Sequence, residues 1–425
     1  TRVNAQGLVE NVQILSSNLV QNGDFSEEGV QEVSNGSFSQ EGVQLITNGD
    51  FSVSTGWQGL NADRVISDGK LNISQASGFG VVYQPETLIV GTYYKCVVEV
   101  SNYVDGSFKI GLAGSDAANT SPSINADGTF TFYLQRLSGG SNNVGFVFGG
   151  LANLSIDNFS VREVGQDWVI ASGSGWSIGD SKLIGVNAAN FSAYQVTLIS
   201  GKTYKFTYEV KDYVSGQFGI RANTVGGITV TANGIYTDYI KSNGDKVYLM
   251  GSGTFNGSIT NISVKEVGQN WNFDANWSIG NNKAISTGVG RMFQSIPFLE
   301  TNVGTKVKVS FDIVDYTSAG VVINCYGGVS SLFQGVGSYS FITTTTNTLN
   351  LYVNNAGAGN LVGSITNLSV IAITEDTNLP RINYEGFSYQ DVLGSEQIVN
   401  GSFDTDSNWN KASGVTISDG KANAA

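Results

Sequence analysis

The chain has 425 residues, with 22 Lys and Arg against 35 Asp and Glu, a formal charge of −13 and no histidine. Such a balance offers no basic face to nucleic acid or to an anionic bilayer, and without imidazole neither a Ser–His–Asp triad nor the usual zinc and iron ligand sets can be built. Two cysteines, Cys96 and Cys325, are too few for a disulfide framework or a thiolate metal site, while 54 Gly, 4 Pro and 13% charged residues describe short strands and tight turns.

In chain order, the first recurring feature is a turn. Asn22-Gly23-Asp24-Phe25, Asn35-Gly36-Ser37-Phe38 and Asn48-Gly49-Asp50-Phe51 follow one another at intervals of 13 residues. Only the third leads into a longer unit. The first two read as duplicated copies of an opening strand and turn, either laid against a neighbour or poorly ordered, and residues 1–44 are set apart as an N-terminal segment.

A unit of about a hundred residues then occurs three times. Its centre is a strictly alternating strand, Tyr94-Lys95-Cys96-Val97-Val98-Glu99-Val100, Thr203-Tyr204-Lys205-Phe206-Thr207-Tyr208-Glu209-Val210 and Val307-Lys308-Val309-Ser310-Phe311-Asp312-Ile313. Alternation of this kind marks a half-buried strand, with Cys96 pointing inward in phase with Phe206 and Val309. Each strand runs into a turn carrying Tyr103, Tyr213 or Tyr316, spaced by 110 and 103 residues. A Trp opens each unit (Trp57, Trp176, Trp277) as a packing anchor, an aromatic–Gln pair follows, and Trp168 and Trp271 fill the seams between units. Tyr133, Tyr236 and Tyr339 belong to general packing. The closing strands Ile156-Asp157-Asn158-Phe159-Ser160-Val161, Ile259–Val264 and Ile365–Val370 space their apolar residues by three and then two, which suggests a bulge in an edge strand.

These landmarks place modules at 45–164, 165–267 and 268–373, a linker at 374–395 and the truncated start of a fourth module at 396–425. Turn signals every 8–12 residues and no helical period predict an all-β fold of tandem antiparallel β-sandwiches, each module large enough to bury its own core, and the nearly linkerless joints between them predict an elongated array. The chain opens at Thr1 rather than Met and stops early in its fourth module, so it is expected to be part of a longer polypeptide.

The Asn48-Gly49-Asp50-Phe51 opening with Gly56-Trp57, the Tyr83-Gln84 pair, the Gly91-to-Val100 strand and the Ile156-to-Val161 strand together resemble the jelly-roll carbohydrate-binding modules of families 4 and 9, in the wider galactose-binding-like group. Arrays of such modules are also similar to tail-fibre and head-fibre proteins of tailed bacteriophages, and Thr377–Tyr384 reads like a joining segment of those proteins. The resemblance implies a non-enzymatic virion protein, extracellular, presenting repeated modules to host cell-surface glycans. Its partners would be other virion proteins and further copies of itself, with neither nucleic acid nor membrane insertion. The alternative is the binding-module region of a secreted bacterial glycanase or cell-surface adhesin.

Sugar candidates are the aromatic–amide pairs Tyr83-Gln84, Tyr194-Gln195 and Phe293-Gln294, a ring to stack on beside a group that donates and accepts hydrogen bonds, together with Tyr103, Tyr213 and Tyr316. The competing reading turns each ring inward and leaves the Gln pointing out. No cofactor is required. The resemblance implies a structural calcium ion in module 1 only, held by Asp50 and Asp157, because modules 2 and 3 carry Thr260 and Thr366 at the closing position and lack the Asn-Gly-Asp-Phe opening.

Overall fold

A computed structural model describes residues 13–252, 254–353, 360–375 and 398–424. Most of the expected linker, including Thr377–Tyr384, lies outside the described residues. Three short strands come first: β1 (Gln13–Leu15), β2 (Glu28–Gln31) and β3 (Glu41–Gln44).

Module 1 contributes β4 (Arg64–Ser67), β5 (Lys70–Gln75), β6 (Gly80–Pro85), β7 (Tyr93–Gly106), β8 (Lys109–Gly111), β9 (Gly128–Gln135), β10 (Asn143–Phe148) and β11 (Ala152–Val164). They form a larger antiparallel sheet, β4-β5-β11-β7-β9, and a smaller one, β6-β10-β8. Strand β7 alternates as its sequence requires, burying Tyr94, Cys96, Val98 and Val100 in one core with Phe146 and Phe148 of the smaller sheet and Phe108 just ahead of β8. Cys96 is free, and burial pushes its thiol up to about 12.

Module 2 repeats the plan with β12 (Val169–Ile170), β13 (Trp176–Gly179), β14 (Lys182–Ala188), β15 (Ala193–Val196), β16 (Thr203–Ser215), β17 (Phe218–Ala222), β18 (Val225–Val230), β19 (Gly234–Lys241), β20 (Lys246–Met250) and β21 (Phe255–Val267). Its sheets run β13-β14-β21-β16-β19 and β12-β15-β20-β17-β18. Module 3 has β22 (Asn272–Phe273), β23 (Trp277–Gly280), β24 (Lys283–Thr287), β25 (Met292–Gln294), a short helix α1 (Pro297–Thr301), β26 (Lys306–Ser318), β27 (Ile323–Cys325), β28 (Gly328–Val329), β29 (Gly337–Thr344), β30 (Leu351–Val353) and β31 (Val362–Glu375). These pair as β23-β24-β31-β26-β29 and β22-β25-β30-β27-β28. A hairpin of β32 (Val415–Ser418) and β33 (Lys421–Ala424) follows. The fold class is all-β, with antiparallel jelly-roll sandwiches in tandem.

Modules 2 and 3 do not close their cores alone. Strand β3 pairs with β11 of module 1, but β2 pairs with β21 of module 2 and β1 with β31 of module 3. The N-terminal segment is thus a strap that runs backwards along the array: its first copy fills module 3, its second module 2 and its third module 1. Val20 and Phe25 lie in the core of module 3, Val33 and Phe38 in that of module 2, and Ile46 and Phe51 in that of module 1. Each of these phenylalanines is no more than 2% exposed. Of the two fates open to the extra copies, being laid against a neighbour is the one observed.

The closing strands carry the expected bulge but are interior, not edge, strands. Register on β7, β16 and β26 shifts at the bulges, where Asn158, Asn261 and Asn367 adopt φ of 49°, 53° and 53°. The bulge divides β11 into a part paired with β5 (Ala152–Ile156) and a part paired with β3 (Arg162 and Val164). Without a strap, the second part would leave its ladder groups open on one side.

Candidate functional site

The strap settles the role of several residues. In module 2 the Gln195 side chain grips the strap backbone from both sides: Ser34 N donates to Oε1 at 2.9 Å and Nε2 donates to Ser34 O at 2.8 Å. Gln294 does the same to Gln21 at 2.9 and 2.8 Å, and Gln84 to Thr47 at 3.1 and 2.5 Å. All three amides are buried. The sugar role expected for Gln84, Gln195 and Gln294 is therefore corrected: an amide turned inward onto a strap is absent from the surface.

The tryptophans are reassigned on the same evidence. Trp57 Nε1 donates to Asn48 O at 3.0 Å, Trp168 Nε1 to Asn35 O at 3.2 Å, Trp271 Nε1 to Asn22 O at 3.0 Å and Trp409 Nε1 to Asn400 O at 2.8 Å. Each indole also lies against the motif's Phe, with centroids 5.1, 5.2, 5.5 and 5.0 Å apart for Phe51–Trp57, Phe38–Trp168, Phe25–Trp271 and Phe403–Trp409. Trp168 and Trp271 are thus the counterparts of Trp57, whereas Trp176 and Trp277 begin strands β13 and β23.

The turn tyrosines Tyr103, Tyr213 and Tyr316 are half-buried. Their hydroxyls donate to Gly106 O (3.1 Å), Gly216 O (3.0 Å) and Ala319 O (2.7 Å), closing the turn after the long strand, and their rings pack on the module cores. Tyr133 belongs to the seam, packing on module 2 beside Tyr93, whose hydroxyl donates to Trp176 O at 2.9 Å. Tyr239 packs on module 3 in the same way.

The rings of Tyr83, Tyr194 and Phe293 face outward on the smaller sheets, because their neighbours Gln84, Gln195 and Gln294 face in. The alternation is the reverse of the competing reading. In module 2, Tyr194 pairs across strands with Tyr248 at 5.3 Å between centroids, and Phe191 meets Tyr248 edge-on at 5.1 Å. Two cations cover this aromatic strip: Lys246 Nζ lies 5.5 Å from the Tyr194 ring and the Arg221 guanidinium 5.5 Å from the Phe191 ring. In module 3, Phe293 and Tyr352 are 5.6 Å apart beneath Arg291, which also reaches Asp274 at 3.1 Å. In module 1, Gly145 stands opposite Tyr83. A Cβ there would lie 2.1 Å from Val82 O, and a small cleft of about 130 Å³ opens between Phe79, Tyr83, Ser115 and Asn143. Tyr248, Tyr352, Arg221, Lys246 and Arg291 escaped the sequence reading, although the alternation in Lys246-Val247-Tyr248-Leu249-Met250 already puts Tyr248 opposite two core residues.

At the expected calcium position, modules 2 and 3 show what replaces a carboxylate. Thr260 Oγ1 donates toward Ser37 O (3.3 Å) and Ser181 O (3.1 Å), and Thr366 Oγ1 toward Asp24 O (3.2 Å) and Asn282 O (3.0 Å). The corresponding carbonyls of module 1 belong to Asp50 and Gly69. Asp157, which stands where the threonines stand, accepts from Asn158 N at 2.7 Å. The Asp50 carboxylate itself accepts from Ser52 Oγ at 3.1 Å, and no cluster of three or more acidic, Cys or His side chains able to hold a metal occurs among the described residues.

One buried acid serves structure. Asp238 of module 2 occupies the place of Phe132 and Phe341, accepts from Ile228 N at 2.9 Å and from Tyr208 Oη at 3.2 Å, and so ties β18 to β19. Burial raises its pKa. A raised carboxyl stabilises the fold when protonated, so its contribution is full below the unfolded value of about 3.9 and is lost as pH rises through the folded one. Asp238→Asn should therefore gain stability relative to the parent as pH climbs from about 4 to 7. Chemical denaturation at the two pH values checks this, and an equal difference at both would refute it.

No family model matches the sequence, and no curated protein sequence matches it. Among solved structures, the chain is similar to the N-terminal CBM22-1–CBM22-2 tandem domain of Xyn10C from Paenibacillus barcinonensis, with 10% identity, a TM-score of 0.23 and coverage of 54% of this chain and 99% of that one. It is also similar to a triple jelly-roll protein of the turret of an archaeal virus, with 14% identity, a TM-score of 0.18 and coverage of 73% and 88%.

Proposed function

We propose that this chain is a non-enzymatic glycan-binding array, and that the outward rows on its smaller sheets are the binding surfaces. The observation that carries this reading is the paired aromatic strip of modules 2 and 3, Tyr194–Tyr248 with Lys246 over the Tyr194 ring and Phe293–Tyr352 with Arg291 over both rings. Sugar rings stack their C–H faces on such strips, while Arg221, Lys246 and Arg291 supply donors to hydroxyl or acidic groups. Several weak sites on one chain gain avidity from their mutual effective concentration. A place in the virion of a tailed phage, as a fibre component facing host-surface glycans, rests on the sequence resemblance and belongs to the same proposal.

Full-length protein on a glycan array tests the reading. Retention of at least one glycan is expected, with Tyr194→Ala/Tyr248→Ala, which removes both rings of the strip, weakening module 2 binding by about tenfold or more. Loss of no affinity in this variant, or in the Phe293→Ala/Tyr352→Ala equivalent, would move the site elsewhere.

A calcium ion in module 1 is part of the proposal, held by Asp157 with the Asp50 and Gly69 carbonyls. Calcium at a hundredfold over its Kd should stabilise module 1 by about 2.7 kcal/mol, and Asp157→Thr should abolish the shift. Identical melting in calcium and in chelator would remove the ion.

A further inference from the structure

We infer that the strap is exchangeable, so that the strap receptors of modules 2 and 3, filled here by the chain's own N-terminal segment, can instead be filled by that of a second copy of this chain. Each receptor holds the strap by strand pairing, by burial of its Val and Phe, and by a recurring set of hydrogen-bonding groups. In module 2 they are the Gln195 amide, the Trp168 indole, and the backbone of Ile262, whose N–H donates to Gly36 O at 2.9 Å. Glu28 adds ion pairs to Lys205 at 2.6 Å and Lys265 at 3.0 Å, and these two ammoniums hold its carboxyl below the usual range. Module 3 repeats the pattern with Gln294, Trp271 and the Leu368 N–H, which donates to Gly23 O at 2.9 Å.

None of these contacts depends on the covalent path between strap and receptor. Asn35 and Gln166 are 131 residues apart and Ser34 and Gln195 161, and the strap joins module 1 through the exposed residues Ser39 and Gln40. The strap is made first and its receptors last, so a folding chain holds a free strap and then unfilled receptors for the time between. A strap from a second chain presents the same two keys, 13 residues apart, to the same two adjacent locks, and so binds divalently. Within one chain the tether gives the local strap the advantage, and raising the chain concentration shifts the balance toward exchange, as in other swapped assemblies.

The test uses two preparations of the full chain with different C-terminal tags, each carrying a site-specific protease sequence between Ser39 and Gln40. They are unfolded together and refolded over a range of concentrations. Strap exchange predicts that the two tags co-purify in a fraction that grows with concentration. Cleavage at the inserted site then separates them, because the cut parts each donated strap from the body of its own chain. Tags that never co-purify, or that remain together after complete cleavage, overturn the proposal.

Discussion

Phe38→Ala should unfold module 2 while leaving module 1 intact, although residue 38 precedes module 1 in the chain. The ring is 2% exposed, lies 5.2 Å from the Trp168 ring and belongs to the core that also holds Trp176, Tyr204 and Phe206. Truncating a buried Phe costs about 3–5 kcal/mol, which is comparable to the whole stability of a sandwich this small. Val33 and strand β2 would lose their anchor together with it. Hydrogen exchange read by mass spectrometry resolves the modules: amides of 203–210 and 259–267 should lose protection, and those of 94–100 should keep it. A loss centred on module 1 would contradict the docking order.

Gly36→Ala should be nearly as damaging. A Cβ at this position would lie 2.0 Å from Ile262 O, a backbone atom held in the interior of a sheet, so no side chain can move aside to admit it. Gly49 and Gly23 meet Phe159 O and Leu368 O at the same 2.0 Å, which explains why each strap turn places Gly directly after Asn. The Asn itself takes the left-handed conformation, with φ of 48°, 47° and 49° at Asn22, Asn35 and Asn48, a region Asn tolerates better than most residues. Gly42→Ala in β3 is the control, since its Cβ would meet the Gln166 Nε2 and Glu163 Cβ at 3.2 Å and no backbone atom nearer than Glu163 N at 3.5 Å. Thermal melts should show a loss of several kcal/mol for Gly36→Ala and under about 1 kcal/mol for Gly42→Ala. Equal losses would mean that the strap turn does not sit against the closing strand.

The threefold repeat and its β-sandwich character are legible in the sequence because alternation and turn chemistry are local. Tyr94-to-Val100 and its two counterparts declare their inward faces without any tertiary knowledge, and Cys96 falls where that phase puts it. The strap's order is not local. Two copies of Asn-Gly-x-Phe lack a module of their own, and two module openings, at Trp168 and Trp271, lack an Asn-Gly-x-Phe nine residues upstream of the kind that Asn48–Trp57 and Asn400–Trp409 display. That imbalance signals that orphan turns and orphan tryptophans belong together. It does not say whether the second or the third copy meets a given module, since both carry Glu-Gly-Val-Gln ahead of the turn, whereas the first has Leu15-Ser16-Ser17-Asn18 there.

The aromatic–Gln pairs show a second limit. Adjacent strand residues must face opposite ways, but a polar amide can be the buried member when a backbone needs to be gripped, and here Gln84, Gln195 and Gln294 do so. Tyr103, Tyr213 and Tyr316 are half-buried, and the carbonyl that each hydroxyl meets is not legible from the turn sequence alone. The strips themselves stayed hidden because Tyr194 and Tyr248 come from strands 50 residues apart, joined only by the sheet register.

Zero-length carbodiimide cross-linking of the monomeric full chain is the most direct measurement of the strap's path, because it needs no substitution and joins only carboxylates and amines already in contact. The backward-running strap predicts links from Glu28 to Lys205 and Lys265 in module 2 and from Glu41 to Lys95 in module 1, pairs that lie 2.6, 3.0 and 2.6 Å apart. Links from Glu28 to Lys95, or from Glu41 to Lys205, would show the copies docked in another order and contradict it.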